Sequence, residues 1–547
     1  MDNPFIVPAV VAVTLLTVAI GFYGLRLARS TSDLLVASRM VSPTWNAAAI
    51  GGEYLSAASF LGVAGLILKN GVDMLWYPVG FAAGYLALLL FVAAPLRRSG
   101  AFTLPDFCEA RLGSRRLRRL AMVFVVLIGW LYLVPQLQGA GLTLTTLTGA
   151  PYAVGALLVG GVVTGNVALG GMRAITFVQA FQYWLKLTAL AVPAIFLILK
   201  WQADGRPAVT PEAGATFSAA TTVVVEHPAT LTMADGSTIQ VRPGDELSFE
   251  AGEPVPRVSH LDLREGVDWL LPGDPGSGDN GLFATYSLML ATFLGTMGLP
   301  HVLVRFYTNP NGAAARRTTL IVLALVGVFY LLPTLYGVLG RVYAPQLLLT
   351  GRTDAVVVLL PEAALGGGLT GQLLAALIAA GAFAAFLSTS SGLLTSVAGV
   401  ISTDLLGRGS MRDFRLATLL AGLVPTVLAL NISGLDVSQV VGLAFAVAAS
   451  SFCPLLVLGI WWRGLTDVGA AAGILVGGGA AGVSVLLTVL GPGLSGWSAT
   501  LIAHPAAWTV PLAFAVMITV SVASRRRIPA DVGTTMLRLH APDALRL

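Results

Sequence analysis

Apolar residues run along the chain in thirteen stretches that are separated by polar connections. Each stretch approaches the roughly 20 apolar residues that a helix needs to cross the hydrocarbon core of a bilayer. The stretches lie near 5–27, 43–68, 74–95, 119–148, 152–169, 173–200, 280–305, 318–342, 371–400, 412–431, 437–461, 466–490 and 506–523. This pattern predicts an all-α polytopic protein with about thirteen transmembrane helices in a lipid bilayer.

Composition narrows the possible function classes. Of the 547 residues, 56% are hydrophobic and 11% are charged, whereas a soluble domain carries about 25% charged residues. Nucleic acid binding would need a basic patch on a soluble domain, which this sequence does not offer. Cys108 and Cys453 are far apart in sequence and indicate neither a disulfide framework nor a metal site. The few His and acidic residues within the predicted spans suggest no catalytic constellation, so we expect no enzyme.

Basic residues predict the orientation in the membrane. Most of the 32 Lys and Arg residues fall in alternate connections between spans, with clusters at 97–119 and 525–546. Cytoplasmic loops carry an excess of these residues. Arg26 and Arg29 follow the first span instead of preceding it, so we interpret it as a retained span and not a signal peptide. We expect a multi-pass protein of a bacterial cell (plasma) membrane, with the N-terminus outside and the C-terminus in the cytoplasm.

Two predicted spans contain residues that interrupt a helix. The second span reads AIGGEYLSAASFLG over 49–62, and the seventh reads GTMGLPH over 295–301. Irregular backbone is tolerated at membrane depth only inside the protein or along a cavity. The two spans are five apart, which suggests two inverted five-helix repeats that each open with a discontinuous helix, as in secondary transporters. The alternative is that Gly and Pro only permit close packing and a kink.

Residues 202–279 are too polar to span the membrane and are rich in acidic residues. Apolar and polar positions alternate around Asp235-Gly236, which predicts a β-hairpin and hence a small β-rich extracytoplasmic insert. The predicted organisation is a first helix and loop (1–42), a first repeat (43–201), the insert (202–279), a second repeat (280–463), two peripheral helices (464–524) and a cytoplasmic tail (525–547).

Four segments resemble a known transporter family. They are GGEYLSAASFLG at 51–62, GGMRAITFVQAFQYWLK at 170–186, GLPHVLVRFYT at 298–308 and AFLSTSSGLLTSVAGVISTDLL at 385–406. The sequence resembles the sodium:solute symporter family, and more narrowly its cation–acetate (monocarboxylate) symporter branch, over nearly the whole chain except the insert and the tail. The resemblance implies a LeuT-type fold with an inverted 5+5 helix repeat.

The resemblance also implies a cation site between the first and eighth core helices. The family's ligands fall here on the backbone carbonyls of Gly52, Leu55 and Ala385 and on the hydroxyls of Ser388 and Thr389. Five neutral oxygens suit a small hard cation, so Na⁺ is the implied coupling ion, and H⁺ is possible. The alternative for Ser388 and Thr389 is hydrogen bonding to the preceding helical turn.

The implied function is import of a small monocarboxylate, such as acetate, propionate or pyruvate, by alternating access. The alternative is a symporter of the same fold for proline, pantothenate or a sugar. Several relatives carry a carboxylate where this chain has Gln179, which favours one cation per cycle. The oligomeric state is left open.

Polar residues within the spans are candidates for substrate binding, because such residues are costly in a membrane and are usually functional. The candidates are Glu53, Tyr54, Ser56, Gln136, Gln138, Gly298 and His301. Lys186 is a possible partner of Glu53 or of a substrate carboxylate, and we expect Arg305 to lie too near the cytoplasm for direct substrate contact. Each of these residues also has a purely structural interpretation, as a polar group satisfied between helices.

Overall fold

The computed structural model of the chain describes residues 3–25, 37–207, 216–217, 220–225, 229–242, 244–258, 269–270, 280–406, 410–431, 437–491 and 495–543. Arg26 and Arg29, which enter the interpretation of the first span, lie outside the described residues, as does much of the insert between 259 and 279.

The N-terminal part of the membrane region contains the first broken helix. Its helices are α1 (Ile6–Leu25), α2 (Pro43–Tyr54), α3 (Val63–Asn70), α4 (Trp76–Ala87), α5 (Ala93–Arg98), α6 (Leu104–Leu112), α7 (Arg115–Thr148) and α8 (Tyr152–Ala203). π-Helical turns at Ala58–Gly62 and Leu88–Val92 lead into α3 and α5, and a 3₁₀ turn at Gly71–Leu75 joins α3 to α4.

The C-terminal part contains the second broken helix. Its helices are α9 (Gly281–Gly298), α10 (Pro300–Phe306), α11 (Gly312–Tyr343), α12 (Gln346–Thr350), α13 (Val356–Leu365), α14 (Leu369–Val400), α15 (Met411–Asn431), α16 (Val437–Trp461), α17 (Asp467–Gly473), α18 (Gly479–Leu490), α19 (Gly496–Ala503), α20 (Ala506–Ala523) and α21 (Val532–His540). π-Helical turns at Ile401–Leu405 and Ile474–Gly478 extend α14 and join α17 to α18.

Eleven helical segments of the described residues are long and apolar enough to cross a membrane. Two of them, Ala58–Arg98 with 41 residues and Tyr152–Ala203 with 52 residues, are too long for one crossing, because a helix rises about 1.5 Å per residue and the hydrocarbon core is about 30 Å thick. Each segment changes direction at a glycine with positive φ, Gly71 (75°) and Gly171 (58°). Dividing the two segments there gives thirteen crossings, as the hydrophobic pattern predicts.

Both predicted helix interruptions are present. Helix α2 ends at Tyr54, and Leu55 is non-helical with φ −74° and ψ 82°. Helix α9 ends at Gly298, Leu299 is extended with φ −70° and ψ 114°, and Pro300 begins α10. Proline suits that position because the first helical residue needs no N–H partner.

The packing of the helices repeats in the two halves of the chain. Helix α2, which opens the first repeat, packs against α8, and α9, which opens the second, packs against α16. Helices α14 and α16 are the most enclosed spans, with 89% of the residues in their apolar windows buried, against 33% for α1 and α20. Helices α14 and α16 therefore lie at the centre of the bundle, and the breaks in α2 and α9 contact them.

The described part of the insert forms two small antiparallel sheets. Strand β1 (Thr221–Val224) pairs with β4 (Glu246–Phe249), and β2 (Ala229–Thr232) lies between β3 (Thr238–Val241) and β5 (Arg257–Val258). The β2–β3 hairpin turns through Asp235-Gly236, where Gly236 has φ 81°. This is the hairpin that the sequence predicts.

Trp269 anchors the insert on the helical bundle. Its indole Nε1 donates to the Ile67 carbonyl oxygen at 2.9 Å, near the end of α3. The Arg341 guanidinium lies 5.1 Å from the Trp269 ring centroid, and Arg341 Nε donates to the Leu68 carbonyl oxygen at 2.7 Å. The insert and the C-terminal ends of α3 and α11 thus share one side of the bundle, which we call the insert side.

Charged residues concentrate on the opposite side, which we call the arginine-rich side. Arg118 forms 2.7 Å ion pairs with Asp106 and Glu109. Arg98 pairs with Asp543 of the C-terminal segment at 3.0 Å. Because α3 ends on the insert side and α5 ends at Arg98 after one more crossing, the two sides are separated by the thickness of the bundle.

We predict that Gly295→Ala destabilises the fold. A Cβ at Gly295 would lie 2.6 Å from the carbonyl oxygen of Phe445 on α16, and overpacking of this kind costs about 1–3 kcal/mol. The matched control is Gly327→Ala on α11, where a Cβ meets no atom within 4 Å, so the gain in helix propensity should leave stability unchanged or raised. Thermal midpoints of the purified protein in detergent test this, and equal midpoints for the two variants would contradict the described α9–α16 contact.

Candidate cation and substrate site

The break after α2 lies where three helices meet closely. A Cβ at Gly52 would collide with the Gln179 carbonyl oxygen on α8 and would lie 3.3 Å from Ser388 Oγ on α14. The Gly51-Gly52 pair therefore lets the α2 backbone approach both helices, and the chain leaves the helix three residues later, at Leu55. Carbonyl groups near the end of α2 consequently lack helical partners and must bond to side chains.

Four of the five predicted cation ligands meet at this break. Ser388 Oγ donates to the Gly52 carbonyl oxygen at 2.5 Å, and Thr389 Oγ1 donates to the Glu53 carbonyl oxygen at 2.6 Å. Leu55 is fully buried beside them. Ala385 lies one helical turn before Ser388 and is also buried. In this arrangement the two hydroxyls bond across to α2 and not to the preceding turn of α14.

Lys186 occupies the centre of this cluster. Its Nζ donates to the carbonyl oxygens of Leu55, at 2.7 Å, and of Gly52. The side chain comes from the second half of α8 and is fully buried. A protein ammonium group therefore binds two of the carbonyls that the sequence resemblance assigns to Na⁺.

A Na⁺ ion does not fit this arrangement of Lys186. Two cations that share the same carbonyl oxygens would lie about 4 Å apart, where like unit charges repel by about 4 kcal/mol at an effective dielectric constant of 20. Because Lys186 binds the Gly52 and Leu55 carbonyls, three of the five implied ligand oxygens, those of Ala385, Ser388 and Thr389, would be left for a metal ion. These neutral oxygens suit a monovalent cation, and in the described structure that cation is the Lys186 ammonium group.

Glu53 pairs with Arg305 and not with Lys186. Arg305 Nε donates to Glu53 Oε2 at 2.5 Å, and both side chains are buried. Arg305 Nη1 also donates to Thr176 Oγ1 at 2.9 Å, and Nη2 donates to Gln179 Oε1. Gln179 Nε2 in turn donates to the Ser388 carbonyl oxygen at 2.8 Å. The pair thus ties α2, α8, α10 and α14 together beside the Lys186 cluster.

Sequence reasoning missed the roles of Arg305 and Thr176. Arg305 lies in the last turn of α10, and its full burial shows that it does not reach the surface. One signal in the sequence could have indicated the role of Arg305. It is an arginine in an apolar segment that contains no carboxylate, so its charge requires a buried partner from another helix.

A second group of predicted residues surrounds the other side of the break. Tyr132 OH on α7 donates to Ser56 Oγ at 3.1 Å, and Gln136 Oε1, one turn along, accepts from the Ala57 N–H at 3.0 Å. The hydroxyls of Tyr54 and Thr296 are hydrogen-bonded at 2.9 Å. These contacts connect the first broken helix to α7 and to the second broken helix.

Aromatic rings enclose this region. The Tyr54 ring lies with its centroid 4.7 Å from Tyr85 and 6.3 Å from Phe445. The His301 ring lies 5.4 Å from Tyr132, which is itself 5.8 Å from Phe445. We call this group of packed side chains, together with Gln136, the aromatic chamber. All of them are buried, so none reaches either surface of the bundle.

The aromatic chamber contains polar atoms without protein partners. Gln136 Nε2, Tyr85 OH and both ring nitrogens of His301 have no hydrogen-bond partner among the described residues. Buried polar atoms of this kind are rare and call for a water or a ligand. They offer neutral N–H and O–H groups to the oxygens of a small anion.

Two of the predicted substrate residues lie elsewhere. Gln138 is buried but follows Gln136 by two positions, which places it on the opposite face of α7. Gly298 ends α9, and a Cβ there would lie 2.9 Å from the backbone carbon of Ala448. The contact of Gly298 is therefore close packing against α16.

We predict that Arg305→Met alone destabilises the protein strongly, because it leaves the Glu53 carboxylate buried without its partner. Breaking a buried pair in this way costs about 3–5 kcal/mol, whereas replacing both charges by apolar groups is often neutral. Glu53→Met combined with Arg305→Met should therefore regain most of the lost thermal stability. Lys200→Gln is the control, because Lys200 pairs with Asp204 at the surface, and such pairs contribute little. An Arg305→Met thermal midpoint equal to that of Lys200→Gln would contradict the described pair.

Two relatives are similar over most of their length. The chain is 31% identical over 520 residues to the monocarboxylic acid transporter of Corynebacterium glutamicum, covering 90% of this chain and 86% of that protein. It is 30% identical over 476 residues to the uncharacterized symporter YwcA of Bacillus subtilis, covering 85% of this chain and 83% of that protein.

Solved transporters share the fold. A substrate-bound, outward-open Na⁺-coupled sialic acid symporter has a TM-score of 0.65 at 16% identity, covering 94% of this chain and 98% of its own. MhsT in complex with L-phenylalanine has a TM-score of 0.51 at 15% identity, covering 88% of this chain and 99% of its own. These similarities confirm the LeuT-type fold that the resemblance implies.

The family model of the sodium:solute symporters matches residues 34–240 and 277–477. The matched ranges contain both broken helices, Lys186 and the hydroxyls of α14. Together with the relatives, this match shows that the chain is a transporter and not an enzyme, and that it belongs to the sodium:solute symporter family.

Proposed function

We propose that the protein is a secondary active symporter that imports a small monocarboxylate such as acetate, propionate or pyruvate. The observation that carries this proposal is the set of buried polar atoms without partners on Gln136, Tyr85 and His301, in the aromatic chamber at the two helix breaks. The similarity to a monocarboxylic acid transporter supports this class of substrate.

The charges around the chamber favour recognition by neutral donors. Arg305 is bound to Glu53, and Lys186 is bound to backbone carbonyls. A substrate carboxylate would instead accept hydrogen bonds from the Gln136 amide, the Tyr85 hydroxyl and a ring N–H of His301. Phe445 and the tyrosine rings would contact the short alkyl group of such a substrate.

Alternating access requires the chamber to open to each side in turn. On the arginine-rich side, a small cavity lined by Thr103, Met172, Pro300, Val304 and Thr395 lies one turn or less from His301 and Arg305. This cavity is the natural release path to the cytoplasm. On the insert side, access requires α3, which Trp269 contacts, to move relative to the bundle.

A cation gradient would supply the driving force. The family and the likeness in fold to a Na⁺-coupled symporter support Na⁺, whereas the bond of Lys186 to two of the implied ligands favours H⁺. A coupling cation acts by stabilising the conformation that binds substrate, so either gradient would drive accumulation against a concentration difference.

Uptake into proteoliposomes tests the proposal. We expect labelled acetate to accumulate under an inward Na⁺ or H⁺ gradient and to be displaced by excess propionate and pyruvate, but not by proline, pantothenate or glucose. The monocarboxylate assignment would be contradicted if acetate does not accumulate under either gradient while labelled proline, pantothenate or glucose does.

We predict that Gln136→Leu raises the KM for acetate by about tenfold or more, because a hydrogen bond to a charged group contributes about 1.5–3 kcal/mol. The control is Gln202→Leu at the exposed end of α8, which should leave KM unchanged. An unchanged KM in Gln136→Leu, measured by initial rates of acetate uptake, would remove Gln136 from the substrate site.

We also propose that the arginine-rich side faces the cytoplasm, since cytoplasmic loops carry the excess of Lys and Arg. The two native cysteines are buried, so a single added cysteine reports its own side. Asp235→Cys in the insert should react with a membrane-impermeant maleimide in intact cells, and Arg526→Cys only after permeabilisation. The reverse labelling pattern would invert the topology.

A further inference from the structure

Lys186 stands where the family resemblance places a sodium ion. Its Nζ donates to the Leu55 carbonyl oxygen at 2.7 Å and to the Gly52 carbonyl oxygen, and the Ser388 hydroxyl bonds to the same Gly52 oxygen at 2.5 Å. We propose that the ammonium group of Lys186 is the resident cation of this site, and that the protein binds and carries its substrate without Na⁺ at this position. The inference rests on the proposed function as a cation-coupled symporter.

The partners of Lys186 support this assignment. A buried lysine is usually paired with a carboxylate, yet Glu53 is bound by Arg305 at 2.5 Å. Among the described residues, the hydrogen bonds of Lys186 go to the two carbonyls that α2 exposes at its break. The side chain is therefore placed by the oxygen cluster itself and not by a neighbouring acid.

The charge of the site supports it as well. The buried cluster contains one carboxylate, on Glu53, and two cationic groups, on Arg305 and Lys186. A neutral residue at 186 together with one bound Na⁺ would give the same net charge. Lys186 together with Na⁺ would add a further positive charge to a buried site, where an uncompensated charge is expensive.

The covalent attachment of the cation has a consequence for transport. A bound Na⁺ can leave to the cytoplasm with the substrate, but Lys186 remains on α8 throughout the cycle. It joins α8 to α2 directly, while Ser388 and Thr389 join α2 to α14. The contact between these helices is therefore made by a covalently attached group and not by a free ion. No Na⁺ ion would bind and leave at this position, so a Na⁺ gradient could not drive transport through it.

Direct sodium binding tests the inference without using transport. Purified wild-type protein should show no saturable binding of radiolabelled Na⁺ at this site. Lys186→Ala should gain saturable binding, because it frees the Gly52 and Leu55 carbonyls, and adding Ser388→Ala and Thr389→Ala should abolish that gain. Lys200→Ala, which removes a surface lysine, should behave as wild type.

Sodium binding to the wild type would overturn the inference if it occurs at this site. Saturable Na⁺ binding to the wild type that is lost in the Ser388→Ala, Thr389→Ala double variant would show that Lys186 leaves the site to Na⁺. If Lys186→Ala does not fold, Lys186→Met keeps the apolar stem and serves in its place, with thermal midpoints compared in NaCl and choline chloride. The thermal midpoint of Lys186→Met should be higher in NaCl than in choline chloride, and that of the wild type should be the same in both salts. The opposite pattern would refute the inference.

Failure of this inference is distinguishable from failure of the proposed function. Na⁺ binding and thermal stabilisation are read without substrate, so a wrong substrate leaves them unchanged. Absence of acetate uptake under every gradient would instead count against the monocarboxylate assignment and would leave the Na⁺ binding result standing.

Discussion

The structure depends on one requirement, that backbone groups exposed by a helix break inside a membrane must find partners within the protein. Helix α2 ends at Tyr54 at the centre of the bundle. Its exposed carbonyls are met by Lys186, Ser388 and Thr389, and the Ala57 N–H beyond the break is met by Gln136. These side chains come from three helices, α7, α8 and α14, so satisfying one short stretch of backbone organises the helices around it.

The Glu53–Arg305 pair extends the same organisation to the second repeat. Arg305 belongs to α10, the second half of the other broken helix, and its guanidinium also reaches Thr176 and Gln179 on α8. Because ionised groups are costly in a low-dielectric interior unless they are paired, this pair holds the two broken helices to one another. The aromatic chamber lies next to it, so any movement that opens the chamber must be accommodated by these contacts.

Sequence patterns predicted the spans and the breaks because both depend on local properties. Hydrophobic length defines a crossing, and Gly and Pro, which lie at or near both breaks, are poor helix formers wherever they occur. Gly51 and Gly52 nevertheless stay helical, and α2 ends at Tyr54. The resemblance to a family then brought Gly52, Leu55, Ser388 and Thr389 together as one site, and the structure places them side by side. The hairpin at Asp235-Gly236 was predictable for the same local reason.

The partners of long charged side chains could not be predicted in this way. Whether Lys186 reaches Glu53 or the α2 carbonyls depends on how α8 turns at Gly171, which is a property of packing between distant segments. The apolar pattern predicts Arg305 near the cytoplasm, whereas its side chain is fully buried in the core. Helical periodicity could have separated Gln136 from Gln138, since residues two apart face opposite directions.

We have proposed that the Lys186 ammonium, and no sodium ion, binds the carbonyls at the α2 break. A cryo-electron microscopy map of the protein in a sodium-containing buffer, resolved well enough to show side chains in the core, tests it most directly. The expected result is continuous density for Lys186 up to the carbonyl oxygens of Gly52 and Leu55. A lysine turned away from α2, with a separate density peak among Gly52, Leu55, Ser388 and Thr389, would contradict it.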